Sequence, residues 1–364
     1  MQRKVTILIT GAVALFFIIY WLANFSPARG KGEANVYDKI SEGSNIRYLV
    51  IGDSIARGSG AETMDQRWYT KLEVLLKGDM GIVAKRQSLV QSGATAFEGI
   101  YRLQNAARLT NADLIFIFFG ENDRKYMGPE EFSFFYEKLL RDAKMKFPNA
   151  EIITITESPL KQPPFAKQIE RISYHYGAKN IDMRKHFKDT GMLTEKLTSD
   201  TVHPNGKGYQ LYANAIFNLL KKNSRERNDI ALLKKPLTGE HDFVLTANSM
   251  PEKTRGFKNK NGMYISNVPG NFLEFQFEGP MLGVTLSRRE NGGMMNVYVD
   301  GEYVRTMSTW WPFPRERNLY VTSGLEQGKH TARFEVINDV SPHNSQGIGT
   351  IQISSVFMSE RIKD

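Results

Sequence analysis

Four short stretches carry residues whose types suit acyl chemistry. LVIGDSIARG places Ser54 directly after Gly52 and Asp53. QSGATA places Gly93 behind an apolar segment. FFGENDR offers Gly120, Asn122 and Asp123, and SDTVHPNGKGY offers Asp200 and His203. A serine hydroxyl becomes a nucleophile when a base takes its proton. His203 is of the type that does this, and a carboxylate on its other ring nitrogen would orient it. Asp200, three residues earlier in the same loop, is placed for that role. The tetrahedral intermediate of acyl transfer needs preorganised donors for its oxyanion. The backbone N–H groups of Ser54 and Gly93 and the side-chain amide of Asn122 are donors of that kind, and Gly93 has no side chain to obstruct a reacting carbonyl. Each stretch alone has a plainer reading: Gly-Asp-Ser as a turn, Asn-Asp as a cap, His-Pro-Asn as a structural loop. The signal is their joint order.

Such groups meet only if the fold brings them to one edge. From Arg47 the pattern alternates. RYLVI reads as a strand and WYTKLEVLL as a helix. IVAKRQSLV reads as a strand and AFEGIYRLQNAARL as a helix. DLIFIFFG is a continuous apolar run, the pattern of a strand covered on both faces. Pro129 opens EEFSFFYEKLLRDAKMKF, with proline in the first turn and acids behind it. EIITITESP is a strand, AKQIERISYHYG a helix ending on Gly177, KNIDM a short strand and GYQLYANAIFNLLKK a last amphipathic helix. Alternating strands and helices predict a parallel sheet with helices on both faces. Ligands bind at the edge where the strands' C-terminal ends lie. Ser54, Gly93 and Asn122 fall at that edge, and Asp200 and His203 reach it by a loop.

Beyond Lys222 the helical period disappears. A charged stretch over 223–240 reads as a linker. Then come short strands with turn signals, among them NFLEFQFEG, MLGVTLSR, GMMNVYVDGEYV and HTARFEVIND. Asp300-Gly301 and Gly328 mark hairpin-like turns. This half predicts a β-sandwich over 241–364. At the other end, Arg3 and Lys4 precede VTILITGAVALFFIIYWLANF, which is long enough to cross a bilayer. The expected organisation is a membrane anchor over 1–28 with its N-terminus inside, a polar tether over 29–45, an α/β domain over 46–222, a linker and a sandwich. A cleaved signal peptide is the alternative for the first segment.

Composition narrows the classes. The chain has 364 residues, 41% of them hydrophobic, which supports two packed domains. The net charge of +9 is spread among acids with no dense basic stripe, so nucleic acid is not an expected partner. There is no cysteine, which excludes disulfides, thiolate catalysis and Cys-based zinc sites. His175, His186, His241, His330 and His343 lack metal-ligand spacing and read as structural or surface residues. Glu121 and Arg124 flank the Asn122 motif and read as solvated loop residues. FSFFYEKLL reads as helical core. Trp310-Trp311-Pro-Phe-Pro is open between stacking on a sugar ring and plugging one end of the sandwich.

Together LVIGDS, the glycine of QSGAT, GEND and DTVHPN resemble the four sequence blocks of the SGNH (GDSL) hydrolase superfamily, over residues 46–222. The resemblance implies a three-layer α/β/α flavodoxin-like fold. It implies Ser54 as nucleophile and first oxyanion donor, Gly93 and Asn122 as the other donors, His203 as base, Asp200 as its orienter and Asp123 as a structural residue. No metal or organic cofactor is implied. The stretch VYVDGEYV to SGLEQGKHTARFEVIND resembles the jelly-roll modules found beside carbohydrate esterases and in carbohydrate-binding domains. Anchor, SGNH domain and sandwich together resemble PatB-type extracellular polysaccharide O-acetyltransferases. That resemblance implies an acetyl-Ser54 intermediate, a cell-wall polysaccharide acceptor, an acetyl donor from a membrane partner and a catalytic domain outside the cell. An O-acetyl esterase with the same site is the alternative. A surface glycan-binding protein is the non-enzyme alternative.

Overall fold

The computed structural model describes residues 34–362. Its first half is a parallel sheet of β1 (Ile46–Gly52), β2 (Ala84–Val90), β3 (Leu114–Phe118), β4 (Glu151–Thr156) and β5 (Lys179–Asp182). The strand order is β2-β1-β3-β4-β5, the flavodoxin-like order. The helices are α1 (Val36–Ser41), α2 (Trp68–Met80), α3 (Ala96–Gln104), α4 (Pro129–Lys146), α5 (Pro163–Tyr176), α6 (Met183–Asp189), α7 (Thr194–Leu197) and α8 (Gly206–Glu226). In β3, Leu114, Phe116 and Phe118 join a core with Trp68 and Leu72 of α2 and Tyr209, Tyr212 and Ile216 of α8. Ile115 and Ile117 join the opposite core with Phe97 of α3, Phe135 and Leu139 of α4 and Ile169 of α5. Burial on both faces is why this strand carries no polar alternation.

The segment expected as a tether is structured at its C-terminal end. Asn35 Oδ1 accepts hydrogen bonds from the N–H groups of Tyr37 and Asp38 at 2.8 and 3.1 Å and so caps α1. Val36, Tyr37 and Ile40 are buried. Tyr37 accepts a hydrogen bond from Asn223 Nδ2 of α8 at 2.9 Å. So short a helix shows too few apolar residues for a period to be read. The expected anchor over 1–28 lies outside the described residues. Among those described, no helix is long and apolar enough to cross a membrane.

The second half is an antiparallel sandwich of β6 (Phe243–Asn248), β7 (Lys253–Arg255), β8 (Lys258–Lys260), β9 (Met263–Ser266), β10 (Phe272–Glu278), β11 (Met281–Arg288), β12 (Gly293–Val299), β13 (Glu302–Ser308), β14 (Arg315–Ser323), β15 (Lys329–Val340) and β16 (Ile351–Arg361). One sheet runs β13-β12-β15-β10-β7 and the other β14-β11-β16-β9-β8, with β6 added to β16. Leu273, Phe275, Val284, Leu286, Val297, Phe334 and Ile353 fill the space between them. Asp300 and Gly301 both have positive φ, 53° and 86°, and close the β12–β13 hairpin in two residues.

The expected linker carries no helix or strand over 227–242, but it is pinned. Glu137 of α4 accepts from the N–H groups of Leu237 and Thr238 at 2.6 and 2.7 Å, and Arg141 donates to the Lys234 carbonyl at 2.6 Å. The two halves also share a core. Phe134 stacks on Phe243 with ring centroids 5.9 Å apart, Phe97 meets Tyr320 edge-on at 5.8 Å, and Tyr101 meets Phe357 at 4.6 Å. Phe243, Leu245, Met281, Tyr320 and Phe357 therefore belong to the same apolar cluster as Leu49 and Ile51 of β1. The outer face of one sandwich sheet is seated on α3 and α4.

Candidate active site

β1 delivers Ser54. A Cβ at Gly52 would lie 2.5 Å from Ala56 Cβ and 2.8 Å from Phe118 Cβ, so only glycine lets the chain turn this closely against β3. Asp53 then shapes the turn, its Oδ1 accepting from the Ile55 N–H at 2.8 Å. The Ser59 N–H closes it on the Ser54 carbonyl at 2.9 Å.

Asp200 and His203 arrive on the loop before α8. Asp200 Oδ1 accepts from the N–H groups of His203 and Val202 at 2.7 and 3.1 Å. Its Oδ2 lies 2.7 Å from His203 Nδ1, and His203 Nε2 lies 2.9 Å from Ser54 Oγ. Burial acts to raise the Asp200 carboxyl. The hydrogen bonds from the His203 backbone and ring outweigh it and hold the carboxyl below its ordinary value. An ionised Asp200 keeps a proton on Nδ1 and leaves Nε2 to accept the one on Ser54.

The three expected oxyanion donors follow the C-terminal ends of the neighbouring strands β1, β2 and β3. Gly93 has φ +78° in a turn closed by the Ala94 N–H on the Gln91 carbonyl. Among the described residues, the N–H groups of Ser54 and Gly93 make no hydrogen bond. Asn122 Nδ2 donates to Asp53 Oδ2 at 2.5 Å. One amide hydrogen is thus used to orient the side chain, and the second remains for an oxyanion.

Behind Asp53 lies Glu157, a residue the sequence does not single out. Both are buried. Burial first raises the Asp53 carboxyl, to about 6, even with Glu157 hydrogen-bonded to it. Burial, and then the Asp53 charge, raise Glu157 well above its ordinary value. Two carboxyls in contact do not both ionise. Glu157 holds the proton, because Asp53 already accepts from Ile55 and Asn122. Asp123 is structural, as expected: its two oxygens accept from the N–H groups of Ala96 and Gly120 at 2.8 and 3.0 Å, tying two site loops together. Burial pushes its carboxyl up to about 7. Glu121 departs from expectation. Its N–H docks on Glu157 Oε2 at 3.2 Å and its carboxylate takes the Arg124 guanidinium, so it is buried, not solvated.

The sandwich reaches this point too. A Cβ at Gly93 would lie 3.5 Å from Trp311 Cη2 and 3.1 Å from Arg317 Nη1. Arg317 is buried and grips Glu98 of α3, with Nε and Nη2 at 2.7 and 2.5 Å from its two oxygens. Nη2 also donates to the Gly93 carbonyl at 2.7 Å. Arg315 donates to the Ser92 carbonyl at 3.0 Å, and Gln91 to the Glu316 carbonyl at 3.1 Å. Of the two tryptophans, the structure brings Trp311 to the site, while Trp310 tilts over His343 with ring centroids 4.9 Å apart. Glu98 and Arg317 have no local signal as partners. Thr95-x-x-Glu98 reads only as a capping box.

Residues 50–211 match the GDSL-like Lipase/Acylhydrolase family, and residues 255–353 match the Carbohydrate esterase 2 N-terminal family. Among solved structures the chain is similar to a two-domain esterase (CEX) active on acetylated mannans, co-crystallized with mannopentaose. The identity is 16% and the TM-score 0.70, over 90% of this chain and 94% of that one. It is also similar to an acetylxylan esterase from Geobacillus stearothermophilus, at 22% identity and TM-score 0.39, over 48% of this chain and 94% of that one. A G-D-S-L family lipolytic protein from Veillonella parvula matches at 17% identity and TM-score 0.42, over 48% of this chain and 98% of that one. No curated protein matches. The first likeness spans both halves, so the two-domain fold is a shared one. Residues 50–211, which carry the Ser54, Gly93, Asn122 and Asp200–His203 blocks, form a GDSL-like (SGNH) lipase/acylhydrolase family domain.

Proposed function

We propose that the protein is a carbohydrate O-acetyl esterase. Ser54 Oγ attacks the acetyl carbonyl while His203 Nε2 takes its proton. The oxyanion is met by the N–H groups of Ser54 and Gly93 and the free amide hydrogen of Asn122. Collapse breaks the ester C–O bond, and His203 returns the proton to the departing sugar hydroxyl. A water, deprotonated by His203, then attacks the acetyl-Ser54 carbonyl and releases acetate. The observation that carries this reading is the Ser54–His203–Asp200 line, with contacts of 2.9 and 2.7 Å, beside a tryptophan supplied by the sandwich.

Hydrolysis is favoured over transfer by the openness of the base. The side chains of His203 and Asp200 are 27% and 53% exposed, so water reaches the acyl-enzyme. The match of the sandwich to a carbohydrate esterase family and the two-domain likeness to an esterase support the same choice. The acetyltransferase expected from the sequence leans on residues 1–28 and on a cell-wall acceptor, and neither bears on the described site. A membrane-held, extracellular placement stays a proposal compatible with an esterase.

The test supplies 4-nitrophenyl acetate, acetylated mannan oligosaccharides and acetylated xylan oligosaccharides to the full chain, with Ser54→Ala as control. Free acetate and acetylated glycan are both quantified. Acetate released in step with deacetylation, and abolished in the control, supports the esterase. Acetyl appearing on an added unacetylated glycan in excess of free acetate replaces it with a transferase. No Ser54-dependent turnover refutes both.

A further inference from the structure

Next to the oxyanion loop the chain gathers more positive charge than it neutralises. Arg57, from the Ser54 turn, donates to Ser92 Oγ at 3.4 Å, and Arg315 donates to the Ser92 carbonyl at 3.0 Å. Arg315 lies 5.6 Å from the centre of the Trp311 ring, and Arg288 lies 6.0 Å from it. Arg288 touches Tyr126 Oη at 3.3 Å. Among the described residues, Arg57, Arg288 and Arg315 form no ion pair. Glu98 is the carboxylate in hydrogen-bond contact with this cluster, and Arg317 occupies both its oxygens. Asp200 is held by His203, and Asp53 and Glu157 by each other. Glu290 and Glu316, adjacent in sequence, form no ion pair with the cluster.

Two buried donors point the same way. Arg288 is 8% exposed, and its Nε has no partner among the described residues. Arg317 is 1% exposed, and its Nη1 has no partner and lies against Gly93. A buried guanidinium N–H left without an acceptor is costly, and the group cannot relieve the cost by losing its proton. Burial, and then the charges of Arg317, Arg57 and Arg102, depress the Arg315 guanidinium below its ordinary value. A structural role accounts for only part of these donors, because Arg57 and Arg315 each spend one hydrogen bond on the Ser92 loop.

We propose that Arg288 and Arg315, which lie at Trp311, together with Arg57 on the Ser92 loop, form a subsite for an anionic sugar residue beside the acetylated one. This deepens the esterase reading and rests on it. A carboxylate or a phosphate fits the guanidinium fork in the same way. A uronic acid and a sugar phosphate are therefore the two sources of one chemistry. Trp311 supplies the apolar face on which the sugar ring lies, and the arginines select the charged substituent on its rim.

The experiment measures kcat/KM of the full chain on three O-acetylated oligosaccharides: one neutral, one bearing a uronic acid and one bearing a phosphate. Each charge-assisted contact is worth about tenfold, so an anionic substrate should lead the neutral one by about tenfold or more at low salt. The lead should shrink as sodium chloride rises from about 0.05 M to about 0.5 M, because the rim is partly open to screening. Arg288→Gln and Arg315→Gln should each cut the anionic-to-neutral ratio by about fivefold or more, and Arg315→Lys by less. A lead for the uronate alone, or the phosphate alone, identifies the source. Equal kcat/KM on all three substrates overturns the proposal. Calorimetric binding of unacetylated versions of the three to full-chain Ser54→Ala gives a readout that needs no turnover. Preferential binding of an anionic glycan upholds the subsite even if ester hydrolysis is not found, and equal binding overturns it. The wild-type ratio stands as a test if an arginine variant fails to fold.

Discussion

Replacing Glu98 with glutamine leaves the Arg317 guanidinium buried without its anion. The two side chains are 1% and 0% exposed, so water does not substitute for the lost charge. Breaking one side of a buried ion pair costs about 3–5 kcal/mol, against about 0–1 kcal/mol for an exposed pair. The glutamine keeps one carbonyl acceptor, and Arg317 keeps its bond to the Gly93 carbonyl. The lower end, about 3 kcal/mol, is therefore expected. For a chain of this size, with an unfolding entropy of about 0.7–0.8 kcal/mol/K, that corresponds to a fall in Tm of about 4 °C. Removing both charges, as Glu98→Leu with Arg317→Met, deletes the desolvation cost along with the attraction and should recover most of the loss. The assay is urea unfolding of the full chain, backed by calorimetry, with both variants beside wild type. A single-variant cost below about 1 kcal/mol would refute the reasoning, and so would a double variant no more stable than the single one. The double variant carries a second reading. It frees the Gly93 carbonyl, so kcat should fall even where stability returns.

Further outcomes follow from the site. Ser54→Ala and His203→Ala should each lose about 10³-fold or more in acetate release, and a near-normal rate in either would remove that residue from the mechanism. Asn122→Ala should lower kcat by about 10²–10³-fold, measured on 4-nitrophenyl acetate, if its free amide hydrogen meets the oxyanion. Glu157→Gln tests the shared proton. Asp53 and Glu157 have raised folded values, so their contribution is present at low pH and is lost as pH rises from about 4 through about 6 and beyond. The variant should therefore gain stability relative to wild type between those limits, and a difference that does not vary with pH would exclude a shared proton. Trp311→Ala should raise KM for acetylated oligosaccharides about tenfold, more than it lowers kcat, and an unchanged KM would reduce Trp311 to a packing residue.

The candidate catalytic residues were legible because they sit in short local patterns. Asp200 and His203 are three residues apart, and Ser54 follows a turn signal at the end of an apolar run. The parallel sheet was legible from the doubly buried run of β3. Contacts joining distant parts of the chain were not. Arg317 and Glu98 are 219 positions apart, and their types alone do not distinguish a buried pair from two solvated charges. Glu157 looks like any acid leaving a strand, until burial against Asp53 changes its proton. The adjacent tryptophans looked alike, and only the fold separates Trp311 at Gly93 from Trp310 at His343. The tether and linker looked free because their few apolar and polar anchors, Tyr37, Ile40, Leu237 and Thr238, show no period.

The shared core has a bearing on how such a chain can be cut or recombined. Severing it after α8 would bare Phe97, Tyr101, Phe134 and Phe135 to water, and the separated sandwich would bare Phe243, Tyr320 and Phe357. Each such side chain represents about 1.5–3 kcal/mol of burial, and a contiguous patch of them drives aggregation. Neither fragment is then a self-sufficient unit, although each matches a separate family. A chimera that borrows its sandwich from a relative inherits a mismatched seam unless α3 and α4 travel with it. If the proposed subsite holds, selection for a new glycan would have to act on both halves at once, because Arg315, beside Trp311 in the sandwich, also holds the Ser92 loop of the α/β half.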